Sequence, residues 1–198
     1  MRALLVAAAA ALALTAASSA PMASAAAKPG CPAAWAKGWQ ALANRVGAPV
    51  YCPSWMPNPL DGQIKGQYID IYSIGKDRSY LVSFLEHGDL GSGDVHVNFR
   101  GYPGHTAIPR CPGIVKKSDT VPCFGEPVAH MHSHGIDATV YQVNQGADQW
   151  HIALGWHYKG SLYTVSEHVI PPYRFSTQVK KNLAHLLNGL VLVRPTRG

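Results

Sequence analysis

The sequence predicts an α+β domain: a seven-stranded antiparallel sheet with an N-terminal and a C-terminal helix packed on one face. Three observations carry that prediction. Gln149–Glu167 reads as a hairpin. Trp150, Ile152, Leu154, Trp156 and Tyr158 alternate with His151, Ala153, Gly155 and His157, and Lys159-Gly160 supplies a turn. Two apolar stripes at helical spacing flank the strand-like middle of the chain: Trp35, Trp39, Leu42 and Val46, then Phe175, Val179, Leu183, Leu186 and Leu190. Five further segments between them have strand character. The hairpin pairing sets Trp156 opposite Tyr163 and Leu154 opposite Val165 on one side. It sets His157 opposite Leu162, Gly155 opposite Thr164 and His151 opposite His168 on the other. One face is therefore apolar and aromatic, the other small and polar. The helices are expected to cover the first, leaving the histidine face open to water or lining a groove.

Residues 1–25 read as a signal peptide. Arg2 is the basic start, Ala3–Ala17 the apolar run, and Ala23-Ser24-Ala25 a small-x-small cleavage site. That run is too short and too alanine-rich for a membrane span of about 20 residues. Residues 26–198 then form one exported domain, long enough for a real core. Of the formal charge of +6, Arg2 belongs to the leader; the remaining basic residues are dispersed. No Lys/Arg cluster points to nucleic acid. Four cysteines in an exported chain predict two disulfides, and proximity favours Cys31–Cys52 and Cys111–Cys123 over the other connectivities. The expected location is secreted or extracytoplasmic, at the cell envelope, as a monomer without stable membrane insertion.

The first helix spans Pro32–Val46, with Gly47 as its stop. Ala48–Pro59 carries too many prolines for a helix or a central strand and is expected as an extended connector. Strands follow at Gln67–Ile74, Ser79–Glu86 and Asp94–Arg100, with the glycine-rich His87–Gly93 as a loop. In the third strand Val95, Val97 and Phe99 turn inward, while Asp94, His96, Asn98 and Arg100 form a polar row. Gly101–Glu126 is a long irregular segment, which Cys111 and Cys123 would pin. Val128–His132 and Ile136–Asn144 are the fourth and fifth strands, and the hairpin supplies the last two. On the closing helix, Lys180, Lys181, Asn182, His185 and Asn188 are expected on the solvent side.

The strand WHIALGWHYKGSLYTVS followed by an amphipathic helix ending LLNGLVLV resembles two groups of small extracytoplasmic domains. One is the exported α+β domain found in bacterial lipoproteins and anti-sigma-factor proteins. The other comprises the extrinsic, photosystem-associated PsbP proteins and their Mog1-like relatives. The proline-rich entry PVYCPSWMP is similar to that of the first group. The resemblance covers Pro49–Val193 and is one of pattern. It implies an antiparallel sheet backed by helices, and a binding or regulatory role rather than catalysis. The paired cysteines and the histidine-rich strand depart from that pattern, which points to a distinct subfamily.

Two constellations carry candidate chemistry. His130-Met-His132-Ser-His134 sets imidazoles two residues apart on one strand face, where two can converge on copper, zinc or nickel and His134 can fold back from the turn. The polar row Asp94, His96, Asn98 and Arg100, on the face of His151, His157 and His168, offers a guanidinium fork with imidazoles beside it. A groove there suits a small anionic ligand, a glycan or an envelope protein. Catalytic signatures are thin. No serine sits in G-x-S-x-G, no H-E-x-x-H is present, and Ser73-Ile-Gly-Lys76 lacks the K-T-G that should follow S-x-x-K. The expectation is an exported, disulfide-stabilised binding or accessory domain. A histidine-based metal-binding protein is the alternative, and a secreted hydrolase the third.

Overall fold

The computed structural model describes residues 29–60, 70–86, 95–113, 119–145, 148–170 and 176–196. Residues 1–25, expected to be a signal peptide, the segment expected as the His87–Gly93 loop, Asp94 and Phe175 lie outside them. Within them, helix α1 (Ala33–Val46) precedes strands β1 (Val50–Pro53), β2 (Asp70–Ile74), β3 (Tyr80–Leu85) and β4 (His96–Tyr102). Then come β5 (Arg110–Pro112), β6 (Thr120–Pro122), β7 (Phe124–Ser133), β8 (Ile136–Asn144), β9 (His151–Tyr158) and β10 (Ser161–His168). Helix α2 (Ser176–Asn188) and β11 (Leu190–Val193) close the chain. Seven strands form one antiparallel sheet in the order β2-β3-β4-β10-β9-β8-β7. The α+β class and the seven-stranded sheet are as expected. The β9–β10 register matches residue for residue, including Trp156↔Tyr163 and His151↔His168.

Sidedness follows from that register. Trp156 lies in the core and His157 is exposed. Phe84, Val97, Phe99, Leu154, Tyr163 and Val165 build the apolar side. Trp35 of α1 packs on Phe84 with ring centroids 5.0 Å apart, and Trp39 meets Phe99 edge-on at 5.8 Å. Tyr51 of β1 sets its edge against Trp156 and Tyr163. Each such aromatic pair adds about 0.5–1.5 kcal/mol beyond the area it buries. Val179, Leu183, Leu186 and Leu187 of α2 join the same cluster. Gly47 ends α1 in the left-handed conformation at φ +62, its N–H donating to the Asn44 carbonyl.

Gly101 lacks a side chain because Tyr80 occupies its place: a Cβ there would stand 2.2 Å from the Tyr80 ring. Tyr80 is buried and enclosed, so the ring has nowhere to retreat. Gly101→Ala is expected to cost about 2–3 kcal/mol by overpacking. Urea denaturation checks this; an unchanged midpoint would mean the ring moves freely.

Several expectations need correction. Leu190 does not end the closing helix. Asn188-Gly189 stops it, Gly189 donating back to His185 and Leu186, and the β-branched tail turns into β11. That strand pairs with Val50–Pro53, so the proline-rich connector contains an edge strand, a place where Pro53 is tolerated. Asn182 is buried rather than solvent-facing, its amide donating to Glu167 at 2.8 Å. Trp150 does not join the inward row. It sits before β9 at φ +64, 72 % exposed. Gly101–Glu126 is not wholly irregular: β5 and β6 pair within it. β7 begins at Phe124, and an irregularity between Pro127 and Ala129 lets the strand pass its proline.

Both disulfides form as expected, Cys31–Cys52 and Cys111–Cys123. The first ties the start of α1 to β1, and the second secures the β5–β6 hairpin. Loops of this size contribute about 3 kcal/mol each in the chain-entropy account. Among the described residues, no helix is long and apolar enough to cross a membrane.

Candidate metal centre

Of the two arrangements expected for the polar side of the sheet, open to water or lining a groove, the first does not hold along its whole length. His96, Asn98, His151 and His168 are all buried. His157 alone of that histidine set is exposed; its Nε2 donates to the Thr106 carbonyl at 2.9 Å and so fastens the loop between β4 and β5 to the hairpin. Arg100 is paired within the protein, its Nε donating to Asp148 Oδ2 at 2.7 Å.

Strand pairing explains the burial and creates something new. β4 pairs with β10 in the register Ser166↔Asn98, Glu167↔Val97, and β10 pairs with β9 in the register His168↔His151. Three histidines from three adjacent strands therefore reach one end of one face. His168 stands on the middle strand, flanked by His96 and His151. Their rings cluster with centroids 4.6 Å apart for His96–His151 and His96–His168, and 5.1 Å for His151–His168. One ring nitrogen from each lies within 4.8 Å of the others. The three imidazoles could each offer one ligand atom to a metal ion, the donor count of a zinc site that keeps a fourth position.

A hydrogen-bonded chain orients it. The Ser83 hydroxyl donates to Asn98 Oδ1 at 2.7 Å, and Asn98 Nδ2 donates to Asp148 Oδ1 at 2.9 Å. The Ser166 hydroxyl donates to the same Asp148 oxygen at 2.9 Å, and His151 Nδ1 stands 3.0 Å from the Ser166 oxygen. Because Ser166 gives its hydrogen to the carboxylate, it can only accept from His151. That places the His151 proton on Nδ1 and leaves Nε2 as a lone pair aimed inward. His96 Nε2 meets that lone pair at 2.8 Å, as the donor of an N–H···N bond.

Electrostatics set the charge of the ring. Burial pushes the His151 imidazole down to about 3; Asp148 opposes, while His96, His168 and Arg100 reinforce. His151 is therefore neutral at ordinary pH, the form that ligates metal. Burial alone would raise the Asp148 carboxyl. Arg100, His151 and the Asn98 amide outweigh it and hold the group below its usual range.

Of the residues predicted for an anion groove, the sheet thus brings His96, His151 and His168 together and ties Asn98 and Arg100 to Asp148. His157 lies at the other end of β9. Asp148 and Ser166 escaped the sequence reading. Asp148 sits in a turn with no motif around it, and its role appears only once β4 and β10 are neighbours. The sequence-predicted metal set, His130, His132 and His134, lies apart from the triad on the exposed β7–β8 hairpin.

No family model matches the chain, and neither the curated proteins nor the solved structures hold a match to it. The site must be read from its own chemistry.

Proposed function

We propose that this chain is an exported, disulfide-stapled binding domain, and that its ligand is a transition-metal ion held by His96, His151 and His168. The leader-like start and the paired cysteines support export. One observation carries the metal reading: three buried imidazoles from three strands, with His151 held in one tautomer by Ser166 and Asp148. Neutral imidazoles without a thiolate suit Zn²⁺, Cu²⁺ or Ni²⁺. The ligating nitrogens of His96 and His151 stand 2.8 Å apart. Ligands on a tetrahedral ion with bonds of 2.0–2.1 Å stand about 3.3 Å apart. An opening of about half an ångström would replace the shared proton with a metal. Asp148 and Ser166 then act as the outer partners that orient a ligating histidine. Both helices cover the apolar face in this reading, leaving the opposite face to the site. The Arg100–Asp148 pair favours the metal over an anionic ligand, because the guanidinium already has its carboxylate.

Tag-free protein stripped with chelator and reconstituted should retain one equivalent of Zn²⁺ or Cu²⁺ through desalting. Co²⁺ should give the visible absorption of a tetrahedral nitrogen site. Retention below about a tenth of an equivalent of every divalent ion tried would end this reading.

A further inference from the structure

The hairpin formed by β7 and β8 carries a different constellation, at the far end of the same sheet face. His130 and His132 stand two residues apart on β7, so both imidazoles leave one side of the strand. Asp137 on β8 is the cross-strand partner of His132. Its Oδ1 lies 3.2 Å from His132 Nδ1 and 3.7 Å from His130 Nδ1. The two rings are nearly parallel, with centroids 6.5 Å apart. All three side chains are roughly two-thirds exposed, at 61 %, 71 % and 68 %.

From these contacts we infer that His130, His132 and Asp137 form a second, solvent-facing site for a divalent transition-metal ion, separate from the buried triad. Three ligand atoms around one ion with bonds of 2.0–2.2 Å stand about 3.3 Å from one another. The two histidine–carboxylate separations, 3.2 and 3.7 Å, straddle that value; the His130 and His132 rings, 6.5 Å apart at their centroids, must both turn toward Asp137 to bring their nitrogens as close to each other. Two imidazoles and one carboxylate make a nitrogen–oxygen set suited to Zn²⁺, Ni²⁺ or Cu²⁺, and water completes the shell on the exposed side. The third ligand is a carboxylate from the neighbouring strand rather than the next histidine of the run. His134 stands in the tight turn at φ +45, where the chain reverses and strand alternation ends.

A polar edge strand has a duller use, since charged and polar side chains on an edge discourage pairing with another chain. That use needs polarity only. It does not require two imidazole nitrogens to converge on a single carboxylate oxygen. The surface site is also distant from the triad. Thr139 of β8 pairs with Gly155 of β9, and Asp137 lies beyond it, away from His151. From His151 to the level of Asp137 is on the order of 20 Å along the strand. Loading of the two sites is therefore separable.

The test is titration of the full, tag-free chain with Zn²⁺, followed by calorimetry, for wild type and three surface variants. These positions are exposed, so the variants should fold as wild type does, which circular dichroism checks. Wild type should bind one equivalent tightly and a second in the micromolar range. His132→Asn should weaken the second event at least tenfold and leave the first unchanged. Asp137→Asn should do the same, whereas His134→Asn should leave both intact. A second event that persists at full affinity in His132→Asn would overturn the inference. So would its absence from wild type at millimolar Zn²⁺, or its loss in His134→Asn but not in Asp137→Asn. The buried centre is judged separately. If wild type shows only the weak event and His132→Asn removes it, this surface site stands and the proposed function fails.

Discussion

Saturating Zn²⁺ or Cu²⁺ is expected to raise the melting temperature of the wild-type chain by about 5–10 °C, and His168→Ala is expected to abolish the part due to the buried centre. A ligand at a hundred times its dissociation constant stabilises the state that binds it by about 2.7 kcal/mol. For a chain of this size, each kcal/mol moves the midpoint by about 2–4 °C. His168 is the informative position because it stands on the middle strand between His96 and His151. Its removal leaves two imidazoles, which cannot hold the ion in a closed shell. The substitution will also lower the midpoint without metal, because a buried ring is lost. The quantity to compare is therefore the metal-dependent rise in each protein, not the midpoint itself. Scanning calorimetry with and without the ion, in the His132→Asn background, isolates the triad from the surface hairpin. An undiminished rise in His168→Ala would place the stabilising ion elsewhere.

The same residue illustrates what the sequence could and could not disclose. That His168 faces His151 was legible from the hairpin, since a short turn and strict alternation determine the pairing of neighbouring strands. That His96 completes the set was not. β4 and β10 are separated in sequence by the β5–β9 segment, and nothing in local alternation says which distant strands will become neighbours. Its placement on the polar face was readable, and its partners were not. Burial failed for a related reason. Alternation separates faces but does not say what lies over them, and Asp148 reaches Asn98, Arg100 and Ser166 from a turn that has no periodicity. Asn182 went wrong by the rule that amides face water. Here a buried Glu167 supplies its partner. Trp150 went wrong by one position of strand, because its left-handed backbone ends the alternation just before His151. The helix α1 stripe and both disulfides were readable because each is local.

Asp148→Ala should be the most damaging single change on the polar face, costing about 3–5 kcal/mol even without metal. The carboxylate pairs with Arg100, whose side chain is only 19 % exposed, and it accepts from Asn98 and Ser166 as well. Removal deprives the guanidinium of this carboxylate and takes the Asp148 acceptor from the Asn98 amide, each at its own desolvation cost. Asp148→Asn retains the volume but not the charge, so it should fall between the two. Pairing Asp148→Ala with Arg100→Met separates the causes. If the stranded charge dominates, the double variant should recover much of the loss in a double-mutant cycle. The metal readout runs independently. Without Asp148, Ser166 has no carboxylate to receive its hydrogen and is free to donate to His151 Nδ1, which would move the imidazole proton to Nε2, the nitrogen that must ligate. Affinity at the triad should therefore drop by about 10–100-fold, the range seen when outer partners of ligating histidines are removed. The Arg100→Met background should not restore it. Recovery of stability without recovery of metal affinity would identify Asp148 as the residue that sets the tautomer. Recovery of both would reduce it to a counter-ion for Arg100 and leave the orientation of His151 to the packing of the three rings.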